Sequence, residues 1–161
     1  MRHILFVCTA NQIRSPLAAA SFRKLVEQRN QASEWLVDSA GTWADEGFPM
    51  VESAKLVGLK LGLPGLAEHR SKPVSQKLLE QAAIVLVMET NHKEALRAEF
   101  PAFAAKIYLM SELAPGPQYD IPDPGTGAAR TDDVAKEIDM ILRRGFDRLE
   151  TLAKASANKS E

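Results

Sequence analysis

Four short, mostly apolar runs recur along this chain, at residues 4–7, 35–39, 84–88 and 106–109, and stretches of helical spacing separate them. Each run has the length and composition of a buried strand. After the first, Ala18, Phe22 and Leu25 fall at i, i+4 and i+7. Met50, Ala54, Val57 and Leu61 mark one side of a second helix over residues 51–61, which Gly62 and Pro64 end. Shorter helices are expected over 74–81 and 92–99, the latter stopping before Pro101. Val134, Ile138, Ile141, Leu142, Leu149 and Leu152 form the apolar face of one last helix, with Thr131 as its cap. Strands that alternate with helices form a parallel sheet covered on both faces. The expectation is therefore the α/β class: a three-layer α/β/α sandwich, flavodoxin-like, around a four-stranded sheet. A length of 161 residues suits one domain over 1–161, with residues 155–161 reading as a frayed tail.

Ligands of such sheets bind at the carboxyl ends of strands. The first strand runs into Cys8-Thr9-Ala10-Asn11-Gln12-Ile13-Arg14-Ser15-Pro16. Ser15 before Pro16 reads as a helix start, a cap followed by a proline at the first helical position. The loop 8–14 then lies between a strand end and a helix N-terminus, where free N–H groups and the helix dipole favour an anion. Arg14 adds a planar fork suited to phosphate, and together with the dipole it favours the thiolate form of Cys8. A thiolate at the floor of an oxyanion cradle can attack phosphorus. Asn11 tolerates the left-handed backbone such a nest requires. A buried structural role is the commoner fate of a lone cysteine, but this position, beside Arg14, overrides it.

The remaining features mostly exclude. A net charge of −1 argues against nucleic acid or a membrane surface as partner. The first apolar run is too short for a signal peptide, and no run has the length of a membrane helix. A single cysteine rules out an internal disulfide and a cysteine zinc cluster, and cytoplasm is the default compartment. No spacing of His, Asp and Glu suggests a metal site, and the chemistry proposed for Cys8 needs neither metal nor cofactor. His3 and His92 read as structural or solvated. Residues 114–130 hold four prolines and three glycines and form a long surface loop of the kind that often carries function. It contains Asp120 and Asp123, between which the residues alone do not choose an acid.

The run from Cys8 to Pro16, with Asp38-Ser39-Ala40-Gly41-Thr42, His69-Arg70 and Asp123-Pro124 following in order, resembles the low-molecular-weight protein tyrosine phosphatases. The resemblance covers nearly the whole chain and fades after about residue 152. It implies a sheet of strand order 2-1-3-4 and a phosphatase that forms a cysteinyl-phosphate. Carried over residue by residue, it implies Cys8 as nucleophile, Arg14 as phosphate clamp and Asp123 as general acid. Thr9, Ala10, Asn11, Gln12 and Ile13 would give backbone N–H groups, and Ser15 would bond the thiolate. Ser39 and His69 would hold Asn11. Trp43 and Gln12 would line the substrate entrance. The partners implied are a phosphorylated protein or peptide and inorganic phosphate or a similar oxyanion.

Three departures matter. Ala10 stands where the family usually has glycine, at a cost of about 1 kcal/mol if the position needs positive φ. Ile13 replaces a second cysteine, so oxidation of Cys8 should give sulfenic acid or a mixed disulfide. Gly125 replaces an aromatic residue that would form one wall of a phenyl slot. Ala19 also replaces an acidic residue. Phosphotyrosine is the default substrate. The alternatives are phosphoarginine by the same mechanism, arsenate reduction with an external thiol, and a phosphate-binding module without turnover.

Overall fold

The computed structural model describes residues 1–159. Its centre is a parallel sheet of four strands: β1 (Arg2–Cys8), β2 (Trp35–Gly41), β3 (Ile84–Val87) and β4 (Ile107–Leu109), in the order β2-β1-β3-β4. The expected order is the observed one. β1 lies between β2 and β3 and is buried on both faces, which its unbroken apolar run permits. Its alternation divides the interior. Ile4, Phe6 and Cys8 face one core layer, which includes Phe22, Ile138 and Phe146, while Leu5 and Val7 face another with Leu79 and Leu96.

The covering helices are α1 (Arg14–Gln28), α2 (Glu52–Lys60), α3 (Gln76–Gln81), α4 (Thr90–Glu99), α5 (Thr131–Arg144) and α6 (Phe146–Ala157). α1, α5 and α6 pack on the face that carries Cys8, and α3 and α4 on the other. A third apolar cluster joins α1 to α2 through Leu17, Ala20, Met50 and Ala54. No helix among the described residues is long and apolar enough to cross a membrane.

Several boundaries differ from expectation. The last helix is two, broken at Gly145, where an added Cβ would lie 2.5 Å from Leu113 Cβ and 2.7 Å from the Leu113 carbonyl oxygen. Val134 to Leu142 therefore belong to α5, and Leu149 and Leu152 to α6. Thr131 is the first residue of α5 and not its cap. α3 starts at Gln76 because Ser75 is extended and its hydroxyl accepts from the Leu78 N–H. α4 starts at Thr90, whose N–H and hydroxyl donate to Asp120 Oδ1. The supposed frayed tail is helical through Ala157, while Ser160 and Glu161 lie outside the described residues.

Candidate active site

β1 ends at Cys8 and α1 begins at Arg14, so loop 8–14 occupies the carboxyl end of the sheet. Ser15 is not the cap of α1. It is the second residue of the helix, fully buried, and its hydroxyl lies 3.0 Å from Cys8 Sγ. Ser15 Oγ also accepts from Asn11 Nδ2 at 2.8 Å and lies 3.3 Å from the Ala40 carbonyl. One hydroxyl proton cannot serve both Cys8 and Ala40. A thiolate can only accept, so ionised Cys8 takes that proton.

Asn11 is the keystone of the loop. Its φ is +58°, whereas Ala10 does not adopt a positive φ, so the expected alanine penalty is not incurred. The Asn11 side chain donates to Ser15 Oγ and, at 3.0 Å, to Ser39 Oγ. Its Oδ1 accepts from the Lys72 N–H at 3.0 Å. The Asn11 carbonyl accepts from His69 Nε2 at 2.7 Å. Burial lowers the His69 imidazole below its ordinary range, opposed by this bond and assisted by Arg23 and Lys72. The structure thus brings Asn11, Ser15, Ser39 and His69 together, with Lys72 as a fifth member that sequence reasoning missed.

The glycine of the Asp38–Thr42 run has a steric reason. A Cβ on Gly41 would lie 2.3 Å from the Thr9 carbonyl oxygen and 2.7 Å from Ala44 Cβ. Only glycine lets the end of β2 approach the loop this closely. The N–H groups of Thr42 and Trp43 donate to the carbonyls of Cys8 and Thr9 at 2.9 and 3.0 Å. The Trp43 side chain is 86% exposed and packs on no core cluster. The Gln12 carbonyl accepts from the Val51 N–H, and Ile13 packs beside the third apolar cluster.

Arg14 is a charged residue only 2% exposed. Its Nη1 donates to Glu89 Oε2 at 2.7 Å and to the Ile121 carbonyl at 2.8 Å. Its Nη2 instead faces Thr9 Oγ1 at 3.5 Å and Asp123 Oδ2 at 3.6 Å. One side of the guanidinium is therefore fixed and the other is turned towards the loop. Ile121 also anchors residues 114–130. It is fully buried, and its N–H donates to the Met88 carbonyl at 2.9 Å. Two residues on, Asp123 is partly exposed, its Oδ2 facing Arg14 Nη2 and its Oδ1 accepting from the Gly125 N–H at 2.8 Å. Asp120 is occupied with the start of α4.

Glu89 escaped sequence reasoning, and His92, read there as structural or solvated, lies against the loop. His92 is buried, with Nε2 2.8 Å from Thr9 Oγ1 and Nδ1 accepting from the Glu89 N–H at 3.1 Å. Burial pushes its imidazole down to about 4, with Arg14 adding to the drop and Glu89 opposing it. The signal available for Glu89 was its place just beyond β3, which neighbours β1, at the end of the sheet where sites lie. A cavity of about 740 Å³ shares Ser39 and His69 with the network behind Asn11, but none of Cys8, Thr9 or Arg14 lines it.

Comparison with known proteins agrees with this geometry. Residues 3–158 match the family model for the low molecular weight phosphotyrosine protein phosphatases. The protein-arginine-phosphatase of Geobacillus stearothermophilus is 34% identical over 149 residues, spanning 92% of this chain and 96% of that protein. The human low molecular weight phosphotyrosine protein phosphatase is 33% identical over 130 residues, spanning 78% of this chain and 81% of its own length. Among solved structures, the YwlE arginine phosphatase of Geobacillus stearothermophilus superposes with a TM-score of 0.81 at 31% identity, over 94% of each chain. A cysteine-to-serine mutant of the YwlE arginine phosphatase, with its active-site serine phosphorylated, gives a TM-score of 0.84 at 28% identity, over 92% of this chain and 95% of that one. With the cysteine loop, the sheet order and the match over nearly its whole length in agreement, the chain belongs to the low molecular weight phosphotyrosine protein phosphatase family and is a cysteine-dependent phosphatase.

Proposed function

We propose that Cys8, Arg14 and Asp123 carry the reaction on a phosphorylated protein side chain. Cys8 Sγ attacks phosphorus, the P–S bond forms and the bond to the leaving group breaks. Asp123 gives its proton to the leaving atom. Water then attacks the cysteinyl-phosphate, Asp123 takes a proton from it, and the P–S bond breaks to free inorganic phosphate. Arg14 and the N–H groups of residues 9–13 hold the phosphoryl oxygens through both steps. The observation that carries this reading is the half-fixed guanidinium of Arg14. Glu89 and the Ile121 carbonyl restrain Nη1, and the nitrogen left over points between Thr9 and Asp123.

Phosphotyrosine is the first substrate reading, with Trp43 and Gln12 lining the entrance. Phosphoarginine is the second, and one feature favours it: at Gly125 no aromatic side chain walls the slot opposite Trp43. A cytoplasmic location suits a lone nucleophilic thiol that must stay reduced. The deciding experiment compares rates on phosphotyrosine and phosphoarginine peptides, with p-nitrophenyl phosphate as reference and Cys8→Ser as control. Turnover that vanishes in Cys8→Ser supports the reading, and the faster peptide names the substrate. Tight vanadate binding with no turnover by the wild type would instead mark a binding module.

A further inference from the structure

Thr9 was expected to contribute only its backbone N–H, yet its hydroxyl has a fixed set of neighbours. His92 Nε2 lies 2.8 Å from Thr9 Oγ1, and Arg14 Nη2 lies 3.5 Å from it. The direction of the first bond is decided across the ring. Nδ1 sits 3.1 Å from the Glu89 backbone nitrogen, which can only donate. Nδ1 therefore accepts, the proton of the neutral ring is on Nε2, and Nε2–H donates to Thr9. Burial keeps the ring neutral near pH 7. Arg14 also can only donate. A hydroxyl oxygen has two lone pairs, and donors face both. The Thr9 proton is thus turned away from His92 and Arg14, and no described residue accepts it.

We propose that Thr9 is a side-chain donor of the phosphate loop, with His92 as the positioning residue that turns its hydroxyl proton onto an oxygen of the bound phosphoryl group. This rests on the reading of loop 8–14 as the oxyanion cradle. The place is right, because the Arg14 nitrogen beside Thr9 is the one left free by Glu89 and Ile121. The bond adds a donor without adding charge, at a site where Glu89 already balances Arg14.

The test is calorimetric titration with inorganic phosphate, alongside kcat and KM on p-nitrophenyl phosphate. Thr9→Val should weaken phosphate binding roughly 10-fold, the usual worth of a hydrogen bond to a charged group. Thr9→Ser should recover most of that loss. His92→Phe should weaken binding comparably, and the double variant Thr9→Val/His92→Phe should be no worse than Thr9→Val alone, because both act through one hydroxyl. Wild-type phosphate affinity in Thr9→Val, or losses that multiply in the double variant, would overturn the proposal. If Thr9→Val does not fold, His92→Gln decides, since its amide N–H can still donate to Thr9. Phosphate affinity above that of His92→Phe supports the proposal, and equal affinity sinks it. A wild type that binds phosphate without Cys8-dependent turnover defeats the phosphatase reading alone, and the titration still judges Thr9. A wild type that binds no phosphate defeats both.

Discussion

Loop 8–14 and the segment 114–130 meet at Arg14 and are built in opposite ways. In the first, Asn11, Arg14 and Ser15 are buried; the Asn11 side chain is bonded to Ser15 and Ser39, and that of Arg14 to Glu89 and the Ile121 carbonyl. In the second, Asp123 is partly exposed, and its firm side-chain bond is to the Gly125 N–H two residues away. A polar group buried in a fully bonded network costs dearly when one member is lost, whereas an exposed group can change with little effect on folding. Loop 8–14 is therefore held in place by the fold itself, with no ligand needed to complete its bonds. In the mechanism proposed above, proton transfer falls to Asp123 on the more exposed segment, where a substitution disturbs the fold least.

The largest expected effect separates the two carboxylates of the exposed segment. Asp123→Ala should slow turnover by about 10²–10⁴-fold, with a greater loss for phenyl phosphate than for p-nitrophenyl phosphate, as removal of a general acid requires. Asp120→Ala should instead lower stability by about 1 kcal/mol through the lost bonds to the Thr90 N–H and hydroxyl at the start of α4, with no such leaving-group trend. A leaving-group trend in Asp120→Ala and none in Asp123→Ala would reverse the assignment. Next, Gly41→Ala tests how tightly the cradle is held. The new methyl group would press on the Thr9 carbonyl, and kcat/KM should fall about 100-fold, since displacement by about 1 Å can cost that much. Unchanged kinetics would show that the loop yields freely.

A third test reads the cradle through pH. The imidazole of His92 titrates near 4 in the fold, against an ordinary 6.5. Its contribution is fully present above pH 6.5, where both folded and unfolded chains hold it neutral. As pH falls through the window from 6.5 to about 4, the unfolded chain binds the proton first and stability declines by about 3 kcal/mol. Denaturant titrations of wild type and His92→Gln across that window should show the extra slope only in the wild type. The smallest effect belongs to substrate choice. An added Cβ at Gly125 would meet Asp123 Oδ1 at 3.1 Å and Ile13 Cδ1 at 3.6 Å, so a larger side chain needs only slight adjustment. Gly125→Tyr should raise the preference for phosphotyrosine over phosphoarginine peptides about 10-fold by supplying a wall. An unchanged ratio would mean that selection lies elsewhere, with Gln12 or Trp43.

Local pattern carried most of the architecture. The short apolar runs, the helical spacing after each and the cysteine loop after the first run are properties of neighbouring residues, and they led to the α/β class and to the end of the sheet where the loop lies. Errors arose where a distant residue set the boundary. Asp120 accepts from the first N–H of α4, Leu113 leaves no room for a side chain at Gly145 between α5 and α6, and Ser15 is bonded to Cys8 and Asn11 within α1.

The sequence by itself determined the strands and most of the helices, the place of the cysteine loop between them and the family to which the chain belongs, because periodicity and motif are written along the chain. Only the tertiary structure decided that Glu89 and the Ile121 carbonyl hold Arg14, that His92 meets the Thr9 hydroxyl and that Lys72 completes the support of Asn11. Those partners lie between 61 and 107 positions apart in the chain. Hydrogen bonds act over about 3 Å in space, and only the packed sheet and helices bring such residues within that reach.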